Sequence, residues 1–325
     1  MSVKVAIAGF GRLGTGVLDA VRASDDLEPI CIVTRRAPRA VCDCGNIPVI
    51  SFNDVMSLKD RVDVMILCFG SQRDLPVLSP MLAENFNIID SFDDHGQIPG
   101  HFDLVNKAAV GSGHTAVISA GWDPGIFSLA RAACSVFMPD GEYLTLWGPG
   151  VSQGHSNALR NIPEVTDAIQ YTVPLDTVAE DFKAGKHFSD PARECHRRVC
   201  LVAVKEGADR ALIEKKIKER PDYFEGYDTS VTFVSEETLA ARHDALPHGG
   251  KVIGRGRSAC GSRQTAELSL ALESNPAFTG GVLAAYARAV ARLYNEGRTG
   301  CFTPLDIPFS YLSGSSAEQL RKKLL

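Results

Sequence analysis

No apolar run in this 325-residue chain is long enough to span a bilayer, and no excess of basic residues marks it for nucleic acid or an anionic surface. Lys and Arg number 34 against 39 Asp and Glu, a formal net charge of -5, so the expected partner is a small molecule, with no nucleic acid and no membrane. No disulfide framework is legible either. The nine cysteines are odd in number, scattered, and mostly set in apolar runs, a pattern that suits a reducing cytosol and a cytoplasmic protein. Cys42-Asp43-Cys44 is the only close pair, and no second Cys or His pair stands at metal-ligand spacing, so no metal is expected. Internal repeats and low-complexity segments are lacking, and a strand beginning at Val3 leaves no room for a secretory leader. What remains is ordinary globular material, 45 % hydrophobic and 22 % charged, with length for two domains.

The run Val3 to Ala8 is apolar and β-branched at almost every position, as in a strand buried on both faces of a parallel sheet. Gly9-Phe10-Gly11-Arg12-Leu13-Gly14 follows at once and leads into an amphipathic segment with Val17, Leu18 and Val21. Gly9 permits the tight turn, Gly11 lets the backbone approach a pyrophosphate, and Gly14 lets the helix pack on the strand. A second apolar run, Ile30 to Val33, ends about twenty residues after Gly14, where an NAD enzyme would place an acidic residue on the ribose. Here stand Thr34, Arg35 and Arg36. Two guanidiniums and a hydroxyl favour a 2′-phosphate, so the expected cofactor is NADP.

Further strands are expected at 62–69, 86–90 and 115–119, with a helix over 75–85, a short one over 105–110, and another opened by Asp123 as cap with Pro124 in its first position. Strand-helix alternation to this point gives an N-terminal Rossmann-type, doubly wound parallel sheet in an α/β protein. Ligands of such sheets lie beyond the carboxyl ends of the strands. Cys68, Phe69, Gly70 and Ser71, and then Ser91 and Phe92, are therefore expected to border the cofactor, with Asp93 beside them. From Tyr143 the pattern changes to separate strands at 143–147, 198–204, 231–234 and 267–272 and a helix over 209–220, an α+β second domain, to which the family resemblance described below assigns substrate binding and dimerisation. The expected domains are 1–120, with a C-terminal segment of about 277–325 packing back on it, and 121–276. A glycine-rich loop at 147–156 precedes a helix expected near 157–160, and loops at 246–250 and 274–276 carry His248 and Asn275.

Taken together, the motifs Gly121-Trp122-Asp123-Pro124-Gly125, Trp147-Gly148-Pro149-Gly150, Ser152-Gln153-Gly154-His155-Ser156, Gln170-Tyr171-Thr172, Pro221-Asp222-Tyr223-Phe224 and Pro247-His248-Gly249-Gly250, with the glycine fingerprint and Asp90 to His95, resemble the meso-diaminopimelate dehydrogenase family along nearly the whole chain. The resemblance implies an NADP-dependent homodimeric amino-acid dehydrogenase. Its reaction would be the reversible oxidative deamination of meso-2,6-diaminopimelate at the D-centre, giving L-2-amino-6-oxopimelate (tetrahydrodipicolinate once cyclised) and ammonia, in lysine biosynthesis. It also implies substrate contacts at Asp93, Asp123, Trp147, Gln153, Gly154, Thr172, Arg198, His248 and Asn275. Phe10 and Phe92 stand where the family carries Tyr, and Arg12 where it carries Asn, which removes one possible hydrogen bond at 92 and adds a possible phosphate contact at 12.

A substrate with two carboxylates and two ammoniums needs two anion-binding ends and acidic or amide acceptors. Arg198 with Thr172 and His248 can hold the distal carboxylate, and Gln153 with the Gly154 amide the reacting one. Asp93, Asp123 and Asn275 can accept from the ammoniums, and Asp93 or Asp123 is the expected catalytic base. Two other readings compete, a different Rossmann reductase of the lysine pathway, similar to dihydrodipicolinate reductase, and a non-catalytic NADP-binding sensor. The first should show a His/Lys-rich substrate signature that the chain lacks, and the second need not keep substrate groups in both domains.

Overall fold

The computed structural model describes residues 2–41, 44–138, 140–221, 223–241 and 247–325. Cys42 and Asp43 of the close cysteine pair, Asp222 and Leu246 thus lie outside the described residues. The chain forms two compact units, one of residues 1–129 and 276–325, the other of residues 130–275.

The first unit is built on β1 (Val3–Ala8), β2 (Leu27–Thr34), β3 (Val49–Ser51), β4 (Val64–Leu67), β5 (Ile88–Asp90) and β6 (Thr115–Val117), completed near the C-terminus by Gly300–Phe302. The parallel sheet runs in the order Gly300–Phe302, β6, β5, β4, β1, β2, β3. Strand order reverses at β1, so a crevice opens between the ends of β1 and β4, the place where such sheets bind nucleotides. Four of the six β1 residues have no solvent exposure, and Val64 to Leu67 have none, as continuous apolar runs require. The Asn275–Asn295 helix packs on one face of the sheet together with α1 (Arg12–Arg22). A Cβ at Gly16 would meet the Pro276 carbonyl and one at Gly280 the Gly16 backbone, so the two helices touch where both lack side chains. On the other face lie α2 (Leu75–Ala83) and α3 (Ile98–Ser112).

Helix starts are where expectation and structure part. The helix expected at 105–110 is α3, which begins at Ile98 with Pro99 in its first turn and stops at Gly113, left-handed with φ 73°. Asp123 is not the cap of the next helix. That helix, α4 (Ile126–Phe137), begins three residues later, and the N–H groups of Ile126 and Phe127 donate to the carbonyls of Gly121 and Trp122. Backbone carbonyls thus take the first two amides of this helix. The glycine-rich loop likewise ends sooner, since α5 (Gln153–Arg160) starts at Gln153 with Ser152 as cap.

The second unit holds two sheets. One contains β7 (Glu142–Trp147), and the other opens with β8 (Gly150–Val151), β9 (Val165–Pro174), β10 (His196–Val204) and β11 (Asp228–Phe233). The partners of β7 are β12 (His248–Arg257) and β13 (Arg263–Leu272), in the order β13-β12-β7 and antiparallel throughout. The other sheet is mixed, antiparallel except where β11 runs parallel to β10. His248 is therefore the first residue of a strand and not part of a loop, and Asn275 is the first residue of the Asn275–Asn295 helix. Among the described residues, no helix is long and apolar enough to cross a membrane.

Candidate active site

In the first unit the glycine loop does what its residues require. A Cβ on Gly9 would lie 2.7 Å from the Cys68 carbonyl, and Gly9 has φ 93°, so only glycine passes there. Gly14 sits directly over the Gly9 carbonyl, whereas Gly11 faces open space. No side chain caps α1 and no acidic residue stands in its first turn, so the amides around Arg12 and Leu13 end in an anion-favouring helix start.

Beyond β2, the Thr34 hydroxyl accepts from the Arg36 N–H at 3.1 Å, and the Arg36 guanidinium donates back to the Phe10 carbonyl. Arg35 forms a fork to Asp74, both oxygens at 2.7 Å, and lies 5.1 Å over the Phe69 ring. This guanidinium holds the Asp74 carboxyl below the usual carboxylate range, and Asp74 also accepts from the Gly70 N–H at 3.1 Å. Arg35, Phe69 and Gly70 are thus joined into one edge of the crevice.

Asp93 and Asp123 also belong to the first unit. The Asp93 N–H donates to the Ser71 hydroxyl at 2.8 Å, which ties the loop after β5, where Ser91 stands, to the loop after β4. Phe92 departs from its expected role. Its ring is 2 % exposed and stacks on His101 with centroids 4.2 Å apart, so the side chain is core and only its backbone lies with the site loop.

In the second unit, alternation along β10 buries His196, Arg198 and Cys200 and turns Arg197 outward. Arg198 pairs in register with Thr172, donates to its hydroxyl, and lies 4.2 Å over the Tyr227 ring. Burial lowers its pKa from the arginine value, with Tyr227 opposing that shift. Its Nε is buried with no hydrogen-bond partner, and among the described residues no carboxylate pairs with it. A buried guanidinium in this state is an incomplete anion site.

The elements around it converge on the same sheet end. Gly150 pairs with Thr172, and a Cβ there would enter the His248 ring. The Gly148 N–H donates to the Gly249 carbonyl at 2.7 Å, and Trp147 pairs with Gly250 across β7 and β12. Trp147, Thr172, Arg198 and His248 are brought together, and Gln153 and Gly154 lie exposed in the first turn of α5 just beyond β8.

Two supporting residues escaped the sequence reading. His196 takes the Trp147 N–H on Nε2 at 2.9 Å while its Nδ1 donates to the Ala192 carbonyl at 3.0 Å, and Tyr227 backs Arg198. His196 was accessible from the β10 alternation. Tyr227 was not, since it lies just before β11.

Burial above all, and the Arg198 charge next, lower His155 to about 4. Its Nδ1 is 2.7 Å from the Ser152 hydroxyl, and its ring lies edge-on to Tyr223 and Phe224. The unfolded chain protonates this histidine near pH 6.5, which the folded protein resists. Stability therefore carries no His155 contribution above that pH and falls as pH drops towards about 4, by up to about 1.4 kcal/mol per pH unit. His196 and His248 are lowered in the same direction. Urea unfolding from pH 4.5 to 7.5 is expected to show this decline, and His155→Gln should reduce its slope.

A doubly wound sheet with this glycine loop, a basic edge beyond β2, and a separate unit carrying a buried arginine that no carboxylate pairs among the described residues defines the class as a two-unit nucleotide-dependent oxidoreductase. The family model for the diaminopimelic acid dehydrogenase C-terminal domain matches residues 121–274. The meso-diaminopimelate D-dehydrogenase of Ureibacillus thermosphaericus is 49 % identical over 323 residues, covering 99 % of each chain. A six-residue variant of the Clostridium tetani meso-diaminopimelate dehydrogenase, crystallised with diaminopimelate, superposes with a TM-score of 0.94 at 44 % identity, over 100 % of both chains. An engineered D-amino acid dehydrogenase bound to NADP+ gives 0.89 at 36 % identity, again over 100 % of both. The chain belongs to the meso-diaminopimelate D-dehydrogenase family.

Proposed function

We propose that the chain catalyses the reversible, NADP-dependent oxidative deamination of meso-2,6-diaminopimelate at its D-centre. The observation that carries this reading is Arg198, a buried cation that donates to Thr172 and has no carboxylate partner among the described residues, in a chain that shares 49 % of its residues with a meso-diaminopimelate D-dehydrogenase. The six residue types exchanged in the Clostridium tetani variant, Gln, Thr, Arg, Pro, His and Asn, occur here in the same order at Gln153, Thr172, Arg198, Pro247, His248 and Asn275. This supports placing substrate recognition on these residues.

The first unit suits the cofactor. Open space at Gly11 and the uncapped start of α1 accept a pyrophosphate, and Arg35 and Arg36, with Thr34 ordering their turn, meet a 2′-phosphate. Bound NADP+ supplies the acceptor for the hydride that leaves the D-centre Cα. In the proposed mechanism Arg198, Thr172 and His248 hold the distal carboxylate, and Gln153 with the Gly154 amide orients the reacting one. Trp147 forms a wall of the site, and Asn275 accepts from an ammonium. Asp93 or Asp123 takes a proton from the reacting ammonium, because hydride leaves from the neutral amine. The resulting iminium adds water and releases ammonia, leaving L-2-amino-6-oxopimelate.

In this reading residues 1–120 and about 277–325 serve the cofactor, and 121–276 serve substrate binding and dimerisation, in a cytoplasmic homodimer working in lysine biosynthesis. Support for a dimer comes from the second unit. The edge strand β13 is exposed along most of its length, and Val136, Phe137 and Tyr143 are 70, 79 and 51 % exposed. The test is NADPH formation at 340 nm. Turnover is expected on adding meso-diaminopimelate and not the L,L isomer, whereas equal rates with both isomers would refute the D-centre assignment.

A further inference from the structure

The carboxylate of Asp90 lies at the end of β5 with no solvent exposure, and it meets four donors. One oxygen accepts from the Phe92 and Ser119 N–H groups, each at 3.0 Å, and the other from the Ser79 hydroxyl at 2.6 Å and His101 Nε2 at 2.8 Å. These donors come from four different places. Phe92 immediately precedes Asp93, and Ser119 begins the turn that leads to Asp123. Ser79 stands on α2 and His101 on α3, the helices beneath these loops. The Asp90 carbonyl also accepts from the Ala120 N–H at 3.0 Å, and Ser119 holds a left-handed φ of 56°, unusual for a residue with a Cβ. One buried anion thus sets the start of both aspartate-bearing loops.

We infer that Asp90, anchored by Ser79 and His101, is a positioning residue that fixes Asp93 and Asp123 relative to each other. This rests on the proposed role of those two aspartates in taking the substrate proton. The physical case is that two backbone amides from separate loops share one carboxylate oxygen, so the loops cannot shift independently without leaving a buried N–H unpaired. An amide in its place can keep the Phe92 and Ser119 N–H groups only on its oxygen, which turns its NH2 to Ser79 and His101, so both would have to reverse from donating to accepting and their bonds to a carboxylate would be lost. The Phe92 ring stacked on His101 closes the same cluster from the loop side.

Asp90→Asn is the direct test, with His101→Leu as a second variant should the first fail to fold, and His101→Gln as the conservative exchange that can still donate. For Asp90→Asn and His101→Leu, kcat for meso-diaminopimelate is expected to fall at least about tenfold with the NADP+ KM changed less than about threefold, because the 2′-phosphate end is built on other strands. His101→Gln should retain most of kcat. Added to Asp123→Asn, Asp90→Asn should cost less than about threefold more, since both act on one step. Val290→Ala, a buried exchange elsewhere in the first unit, supplies a variant of lowered stability. Unchanged kcat in Asp90→Asn, equal kcat loss in Val290→Ala, or multiplicative effects in the double variant would overturn the inference. Full activity of both Asp93→Asn and Asp123→Asn would instead remove the reading on which it rests.

Discussion

Asp123→Asn is expected to lower kcat for meso-diaminopimelate by about 100-fold or more, the span removed with a general base, while leaving the NADP+ KM nearly unchanged. Asp93→Asn is expected to show the same pattern if it is the base and a smaller loss if it only accepts from the ammonium. Oxidation at a carbon bearing an ammonium needs that proton removed first, so the residue that takes it governs kcat more than binding. Asp123 stands three residues ahead of α4, whose first amides are already satisfied by Gly121 and Trp122, and Asp93 lies exposed after a loop held by Ser71 and Asp90. Rates in both directions at several pH values would measure the loss and show whether the rising limb of the kcat profile disappears. Full kcat in both variants would reject a carboxylate base in the first unit.

Replacing Arg35 and Arg36 together by alanine is expected to raise the KM for NADP+ by about 100-fold or more, taking about 1.5–3 kcal/mol for each charge-assisted contact. NAD+ should be affected much less, since it carries no 2′-phosphate. Arg35 should contribute the larger share. Its guanidinium neutralises Asp74 through a two-point contact, and removing it leaves that carboxylate facing the phosphate site. Arg36 acts through a different geometry, reaching back to the Phe10 carbonyl from a turn ordered by Thr34. Steady-state kinetics of each single variant with both cofactors would separate the two contributions, and an unchanged NADP+ preference in the double variant would exclude this edge as the discriminating element.

The cofactor half was the more legible because its chemistry is local. A β-branched run, three glycines at fixed spacing and two arginines at the end of the next strand occupy one short span, and β1, α1 and β2 lie where those residues place them. Arg198 was legible for a different reason, since the two-residue period of a strand separates it from Arg197. Helix starts were less accessible. Pro99 and Ser152 start α3 and α5 earlier than apolar spacing suggested, and the Asp123-Pro124 pair mimicked a start that backbone carbonyls provide instead.

The strand β12 was hidden by its glycines. Gly249, Gly254 and Gly256 lower its strand propensity, yet a Cβ at these positions would meet the Leu270 carbonyl, the Cys134 side chain and Met138. Close packing of the sheet against α4 thus demands the residues that disguise the strand. Asp90 shows the same limit, because a carboxylate at a strand end acquires meaning only once Ser79, His101, Phe92 and Ser119 surround it.

The most direct measurement follows the label from meso-diaminopimelate deuterated at both α-carbons, incubated with the protein and NADP+. One deuterium is expected in NADPH, with the L-centre deuterium retained in the 2-amino-6-oxopimelate formed. Loss of the L-centre label, or release of the D-centre label to solvent without its appearance in NADPH, would contradict hydride transfer from the D-centre.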